Sequence, residues 1–158
     1  MTGPGLMKDF FTFELSIQNN PMDKLLTKLN YKGDSRILIL EGELGFVKTL
    51  SRKIKGTIID SEIDPKFLYN FIIIFAGTSE DVDRTFPDAV QNLYEDGIIW
   101  FIYPKNPAAN DDISLTRKKG WNSCRDAGFE AVRHICVDDK LSATRFRNKK
   151  FIRRRNRD

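Results

Sequence analysis

The chain has 158 residues, of which 41% are hydrophobic and 30% are charged, and these values are typical of a globular domain. A single domain of this length can bury one substantial core. The formal net charge is +4, but the segment 145–158 carries eight lysines and arginines against one aspartate, so the rest of the chain is mildly acidic. This asymmetry argues against a nucleic-acid surface spread over the whole domain.

Several classes of protein are disfavoured by the same totals. No apolar run approaches the roughly 20 residues that span a bilayer. The first residues lack the basic and then apolar pattern of a secretory signal, so we expect a cytoplasmic protein. Cys124 and Cys136 are too far apart for a Cys-x-x-Cys pair and have no histidine at metal spacing. We therefore expect two reduced thiols packed in the core and no metal site.

The first 33 residues are predicted to form two separate elements. Residues 1–20 contain the alternating stretch FFTFELSI, which indicates an N-terminal arm or edge strand. A helix begins at Pro21, places Leu25 and Leu29 on one face, and has Gly33 as its stop.

Strands and helices then alternate along the chain. Apolar runs predict strands, and the 3.6-residue period predicts helices, the second of which is capped by Thr78 or Ser79 and kinked by Pro87. The predicted strands are 37–40, 56–60, 70–77, 96–105, 130–139 and 141–148, and the predicted helices between them are 46–56, 78–93 and 114–128.

The connections between strands predict the topology. The connection between the last two strands is only about four residues long, Asp138–Leu141, so these strands form a hairpin, because a parallel crossover needs a dozen or more residues. A mostly parallel sheet that ends in an antiparallel hairpin resembles the class I methyltransferase variant of the Rossmann-like fold. We predict a three-layer α/β domain over residues 21–148, trimmed because about nine residues join strands two and three. The expected strand order is near 2-1-3-4-6-5, and a basic tail, 149–158, follows.

The turn after the first strand occupies the place where such folds bind a phosphate or a methyl donor. It reads Glu41-Gly42-Glu43-Leu44-Gly45, so the central glycine of the usual motif is missing and Glu43 adds a negative charge. A phosphate is disfavoured there, whereas S-adenosylmethionine would suffer less. The candidate cofactor residues are Gly42, Gly45 and Asp60. Asp60 is an acid at the position where such folds usually bind a ribose. The alternative to a cofactor loop is a plain strand-to-helix turn, and we favour this alternative. We therefore expect no cofactor, although S-adenosylmethionine stays possible as a ligand.

Polar residues converge on the carboxyl edge of the predicted sheet, where open α/β sheets bind ligands. A polar small molecule there would find Lys105 as a cation and Asp138 or Asp139 as acceptor or base. The alternative is a hairpin turn rich in aspartate with a Lys–Asp surface pair. His134, on the face of Val132 and Cys136, is expected in the core. The candidate ligand residues are Tyr103, Lys105, Thr116, Arg117, Trp121, Asp138, Asp139, Ser142 and Arg145.

Three stretches of the C-terminal half, IIWFIYPK, LTRKKGW and VDDKLSATRFR, resemble an uncharacterised bacterial family of small Rossmann-like, methyltransferase-related proteins. The resemblance covers roughly residues 21–147. It implies the fold and singles out Pro104 together with most of the edge residues, but it supplies no reaction. Leu141 stands where relatives often have tryptophan, which removes an aromatic side chain from the expected pocket rim.

The tail offers a function of another class. Arg153, Arg154 and Arg155 could attract RNA through counterion release, or the tail could simply be solvated. The sequence thus favours a domain that binds a polar small molecule beside a degenerate methyl-donor loop. The alternatives are an RNA-associated accessory protein that acts through the tail and an active S-adenosylmethionine-dependent methyltransferase. Whether the protein is an enzyme is left open.

Overall fold

The structure, a computed structural model, describes residues 21–106 and 114–153 of the chain. The predicted arm, 1–20, lies outside them. The elements in chain order are α1 (Pro21–Lys28), β1 (Arg36–Leu40), α2 (Leu44–Lys53), β2 (Ile58–Asp60), β3 (Tyr69–Phe75), α3 (Ser79–Gln91), β4 (Leu93–Pro104), α4 (Asn122–Asp126), β5 (Phe129–Cys136), β6 (Leu141–Asn148) and a 3₁₀ turn (Lys149–Phe151).

The six strands form one sheet in the order β2-β1-β3-β4-β6-β5. The first four strands are parallel, and β6 runs antiparallel to both β4 and β5. The β5–β6 hairpin closes on backbone hydrogen bonds from Val137 and Asp138 to the carbonyl of Leu141. The predicted α/β class, strand order and terminal hairpin are therefore confirmed.

Each face of the sheet carries its own core. On the face of α3 and α4, Leu38, Ile72 and Ile99 stand side by side and pack against Phe86 of α3. On the face of α1 and α2, the apolar side chains alternate with those of the first face, as the two-residue period of strands requires. The indole N–H of Trp100 donates to the Leu29 carbonyl oxygen at 2.9 Å and ties this second core to the end of α1.

The entry to α3 follows the predicted capping. The Thr78 hydroxyl accepts from the Asp81 N–H, and the Asp81 carboxylate accepts from the Thr78 N–H, which is a capping box. The helix continues past Pro87 to Gln91. The helix therefore begins at the predicted cap and ends two residues before the predicted carboxyl end.

The predicted helix 114–128 is wrong for its first half. Helical structure is limited to Asn122–Asp126, and Ser114 instead forms a β-bridge with Thr78. The Thr116 hydroxyl accepts from the N–H groups of Lys118 and Lys119, a turn that competes with a helix, and Gly120 has a φ of +100°. The segment 114–121 therefore forms a polar loop beside the sheet.

The expectation that both thiols are buried is half wrong. Cys124 of α4 lies in the core, but Cys136 at the end of β5 is exposed. Within 21–106 and 114–153, no helix is long and apolar enough to cross a membrane.

Candidate functional site

The turn after β1 is closed by its own glutamate. Glu43 is the N-cap of α2, and its carboxylate accepts from the N–H of Gly45 at 3.1 Å and of Phe46 at 2.8 Å. These are the orphan amides that a ligand at a helix N-terminus would use. A methyl donor with a carboxylate of its own does not fit this arrangement unless Glu43 leaves the two amides.

The remaining residues of the turn serve packing and a surface ion pair. A Cβ atom added to Gly42 would lie 2.7 Å from the Val47 side chain and 2.9 Å from that of Ile39, so glycine is needed for close contact between β1 and α2. Glu41 has a φ of 57° and pairs with Arg84 of α3 at 3.2 Å. The glycine thus has a structural explanation that requires no ligand.

Asp60 ends β2, but its carboxylate is already engaged. It accepts from the Arg36 guanidinium at 2.8 Å and from the hydroxyl of Tyr69, and its side chain is only 17% exposed. The Arg36 guanidinium also donates to the Asp64 carboxylate at 3.0 Å, so the carboxylates of Asp60 and Asp64 share one guanidinium. A ribose would have to compete with this charge-assisted network for Asp60.

A basic cavity lies further along the sheet, at β5 and β6. Its volume is about 230 Å³, and it is lined by the loop residues Arg117 and Lys118 and by a row of β5 and β6 side chains. We call it the Arg117–His134 pocket. None of its lining residues is acidic; the full set is Arg117, Lys118, Ala131, Val132, Arg133, His134 and Thr144.

Three polar side chains meet at the wall of this pocket. The Tyr103 hydroxyl lies 2.9 Å from the Thr144 hydroxyl and 3.3 Å from His134 Nδ1, and the Thr144 hydroxyl lies 3.2 Å from the same nitrogen. His134 and Thr144 are directly opposite one another on β5 and β6, which places both on the α3/α4 face with Tyr103. The pocket therefore combines positive charge with hydroxyl and imidazole groups.

Burial and nearby positive charge favour the neutral imidazole of His134. Burial lowers the pKa of His134 most, and the positive charges of Arg117 and Lys105 lower it further. Burial also raises the pKa of the Tyr103 hydroxyl, although its bond to Thr144 and the charge of Arg117 oppose that shift. An anion in the pocket would favour the protonated imidazole, because it would offset the charge of Arg117.

The structure brings some of the predicted ligand residues together at this pocket. Arg117 lines the cavity, the buried Tyr103 contacts the lining residue His134 from the core side, and Lys105 acts on His134 through its charge. Thr116, next to Arg117, is exposed and holds the loop.

The two aspartates of the hairpin are not among the residues that line the pocket. Asp138 accepts from the N–H groups of Lys140 and Leu141, both at 2.8 Å, so its carboxylate forms the turn. Asp139 is exposed beside it. Asp138 therefore serves the turn that the alternative interpretation expected.

Three predicted residues lie away from an exposed edge. Trp121 is 1% exposed, packs on Tyr103 with ring centroids 5.2 Å apart, and donates its indole N–H to the Thr116 carbonyl. Ser142 is buried opposite Tyr103. Arg145 stands opposite Trp100, well inside β6 and on the other face of the sheet. Strand alternation separates Arg145 from the pocket, since its neighbour Thr144 takes the position that faces Tyr103.

His134 was placed in the core by its apolar neighbours, and this prediction is wrong. Val132 is 40% exposed and Cys136 is exposed, so their neighbourhood is not a core. A register irregularity between Ala131 and Arg133 breaks the alternation on which the prediction relied. Thr144 was missed as well; the available signal was its place opposite His134 in a hairpin of known register.

The comparisons with known proteins identify the fold. No family model matches the chain, and no curated protein matches it. Among solved structures, an S-adenosylmethionine-dependent methyltransferase from Aquifex aeolicus has a TM-score of 0.58 at 13% identity, covering 92% of this chain and 98% of its own. The fold is that of the class I methyltransferases.

Two further structures belong to the same comparison. The N-methyltransferase NodS from Bradyrhizobium japonicum WM9, in complex with S-adenosylhomocysteine, has a TM-score of 0.52 at 13% identity and covers 83% of this chain and 86% of its own. A fibrillarin/Nop5p complex has a TM-score of 0.52 at 13% identity, with 74% of each chain covered. The expectation that no cofactor binds has no support here, because the methyltransferase fold includes complexes with the demethylated donor. The implied fold of the resemblance is confirmed; membership of the uncharacterised family stays a prediction.

The nucleic-acid residues of the tail stay a prediction. Arg153 is exposed after the 3₁₀ turn, and Arg154 and Arg155 lie outside the described residues.

Proposed function

We propose that this protein binds a small polar anion in the Arg117–His134 pocket. The observation that carries the proposal is a cavity whose lining residues include Arg117, Lys118 and Arg133 and no acid, with hydroxyl and imidazole groups at its wall. Charged hydrogen bonds from guanidinium to an oxyanion are about twice as strong as neutral ones.

The position of the pocket supports the same proposal. Ligands of open α/β sheets bind near the carboxyl ends of the parallel strands, and Tyr103 is next to the last residue of β4. The loop that carries Arg117 is anchored by the Trp121 indole and by the Thr116 turn, so the guanidinium is presented by a held segment. The binding groups are therefore partly preorganised, which lowers the entropic cost of binding.

The test is calorimetric titration and thermal unfolding with orthophosphate, sulfate, citrate and adenosine monophosphate. A ligand at 100 times its dissociation constant adds about 2.7 kcal/mol, which raises the midpoint by roughly 5–10 °C in a domain of this size. Arg117→Gln should weaken binding, while Arg52→Gln, an exposed arginine on α2, serves as the matched control. Equal affinities of the two variants for every anion would rule the pocket out.

The fold supports a second candidate, S-adenosylmethionine binding at the turn after β1. The support is the comparison with methyltransferase structures, one of them a complex with S-adenosylhomocysteine. This candidate requires Glu43 to release Gly45 and Phe46. Thermal shifts with the two adenosyl compounds alone, unaffected by Arg117→Gln, would select it over the pocket.

A further inference from the structure

Two arginines, Arg133 and Arg145, stand side by side on β5 and β6; Arg133 also borders the pocket, whereas Arg145 does not. Arg145 of β6 stands directly opposite Trp100 of β4 on one side and Arg133 of β5 on the other. Cross-strand partners of this kind share a face, here the α1/α2 face. From this placement we infer that Arg133 and Arg145 together hold a phosphoryl group on that face.

The first reason is an unsatisfied donor. The Nε atom of Arg145 is buried and has no hydrogen-bond partner, the one such side-chain atom among residues 21–106 and 114–153. Buried polar atoms are nearly always bonded, so an orphan of this kind calls for an ion or another group that the protein itself does not supply. A guanidinium Nε–H is a donor, so the missing partner is an acceptor.

The second reason is the repulsion between the two arginines. Like charges directly opposite on neighbouring strands destabilise a sheet. Burial lowers the pKa of Arg145 most, the charges of Arg147 and Arg133 lower it further, and Asp96 opposes them. A bound anion would relieve both the burial cost and the repulsion.

The acids on this face serve a different arginine. Arg147 donates to both oxygens of Asp96 at 2.8 Å, a bidentate pair. Glu130 is the cross-strand partner of Arg147, two residues along β6 from Arg145, and has an interaction of its own. The Arg133–Arg145 row thus keeps its positive charge next to a neutralised pair.

A phosphoryl group matches this row better than a carboxylate does. It can carry two negative charges and offers three acceptor oxygens, whereas one guanidinium already satisfies a carboxylate. The inference shares Arg133 with the pocket lining but depends on Arg145, which is absent from that lining and faces the other side of the sheet.

The chain contains two tryptophans, and each reports on one site. Trp100 is the cross-strand neighbour of Arg145, and Trp121 packs on Tyr103 at the pocket wall. We would titrate the ¹⁵N-labelled full chain with orthophosphate and follow the two indole N–H signals. A saturable shift of the Trp100 signal is expected for the Arg133–Arg145 row, while a shift of the Trp121 signal alone would assign the phosphate to the pocket and overturn this inference.

Variants make the assignment independent of the spectra. Arg145→Gln should weaken orthophosphate binding at the Trp100 signal by about ten- to a hundred-fold, the range for one charged hydrogen bond. Arg117→Gln should leave that signal's titration unchanged. If Arg145→Gln does not fold, Arg145→Lys decides, because it keeps the positive charge but lacks the Nε donor, so it should weaken the same titration.

A short RNA in place of orthophosphate distinguishes the sources of the phosphoryl group. Orthophosphate binding without RNA binding indicates a small phosphate ester, and RNA binding that Arg145→Gln also weakens indicates a nucleic-acid backbone. The inference is overturned if neither probe shifts the Trp100 signal, or if both variants bind as the wild type does.

Discussion

Replacing Glu43 by alanine tests whether the turn after β1 is closed by that side chain. The substitution removes the carboxylate that accepts from the Gly45 and Phe46 N–H groups, and it leaves the strand and the helix face untouched. Two consequences follow from one change. The helix loses its N-cap, and two amides become available to a ligand.

The magnitude of the first consequence comes from the cap itself. Loss of an N-cap acceptor costs about 1 kcal/mol, within a range of roughly 0.5–2 kcal/mol. For a domain of this size, 1 kcal/mol corresponds to about 2–4 °C in the unfolding midpoint. Glu43→Gln keeps an acceptor oxygen but loses the charge, so it should fall between alanine and the wild type. Glu62→Ala, an exposed glutamate after β2, controls for the loss of a surface carboxylate.

The assay is thermal unfolding with and without S-adenosylhomocysteine. We expect Glu43→Ala to unfold at a lower temperature than the wild type and to bind the adenosyl compound more tightly, because the competing carboxylate is gone. A midpoint equal to that of the wild type would show that the cap contributes nothing. Weaker binding by Glu43→Ala than by the wild type would refute the interpretation of Glu43 as an obstacle and make it a ligand residue.

Three further predictions concern other parts of the structure. Because burial lowers the pKa of His134, the unfolded state takes up a proton before the folded state does, and the free energy of unfolding should decrease as the pH falls below about 6.5. In denaturant titrations from about pH 5 to 7.5, His134→Gln should reduce this pH dependence of the unfolding free energy. An unchanged pH dependence contradicts the prediction. Asp60→Asn should cost about 1–3 kcal/mol of unfolding free energy, because the Arg36 guanidinium loses one of its two ionised partners in the half-buried network. A loss under about 0.5 kcal/mol would contradict a stabilising role for that network. Burial strongly raises the pKa of Cys124, whereas Cys136 is exposed, so an aromatic disulfide reagent should modify only one thiol quickly in the native protein. Cys136→Ser should abolish this fast reaction. Fast modification of two thiols would contradict the burial of Cys124.

The sequence was sufficient for the sheet because hydrophobic period and connection length are local properties. Residues 141–148 were predicted as a strand with the bounds that the structure has, and the short 138–141 connection was enough to make it antiparallel. The confirmed strand order follows from these two properties.

The site was harder to predict because it depends on which face each side chain takes. Arg145 and Thr144 are adjacent in sequence but lie on opposite faces, so topology alone grouped Arg145 with the wrong neighbours. The bulge in β5 then removed the alternation that would have placed His134 correctly. The turn at Thr116 was missed for a related reason, since side-chain bonds to backbone N–H groups override a helical period.

The structure also separates the position of a fold's usual ligand site from the groups that are available to bind. At the turn after β1, the amides are used by Glu43 and the acid after β2 is used by Arg36, so both polar groups are satisfied within the protein. Around β5 and β6, by contrast, positive charge gathers at Arg117 and Arg133 without an acid in the pocket lining. Satisfied groups gain little from a ligand, whereas uncompensated charge gains more. The free energy available for binding an anion therefore lies at the hairpin end of the sheet, several strands away from the turn where the fold alone would place it.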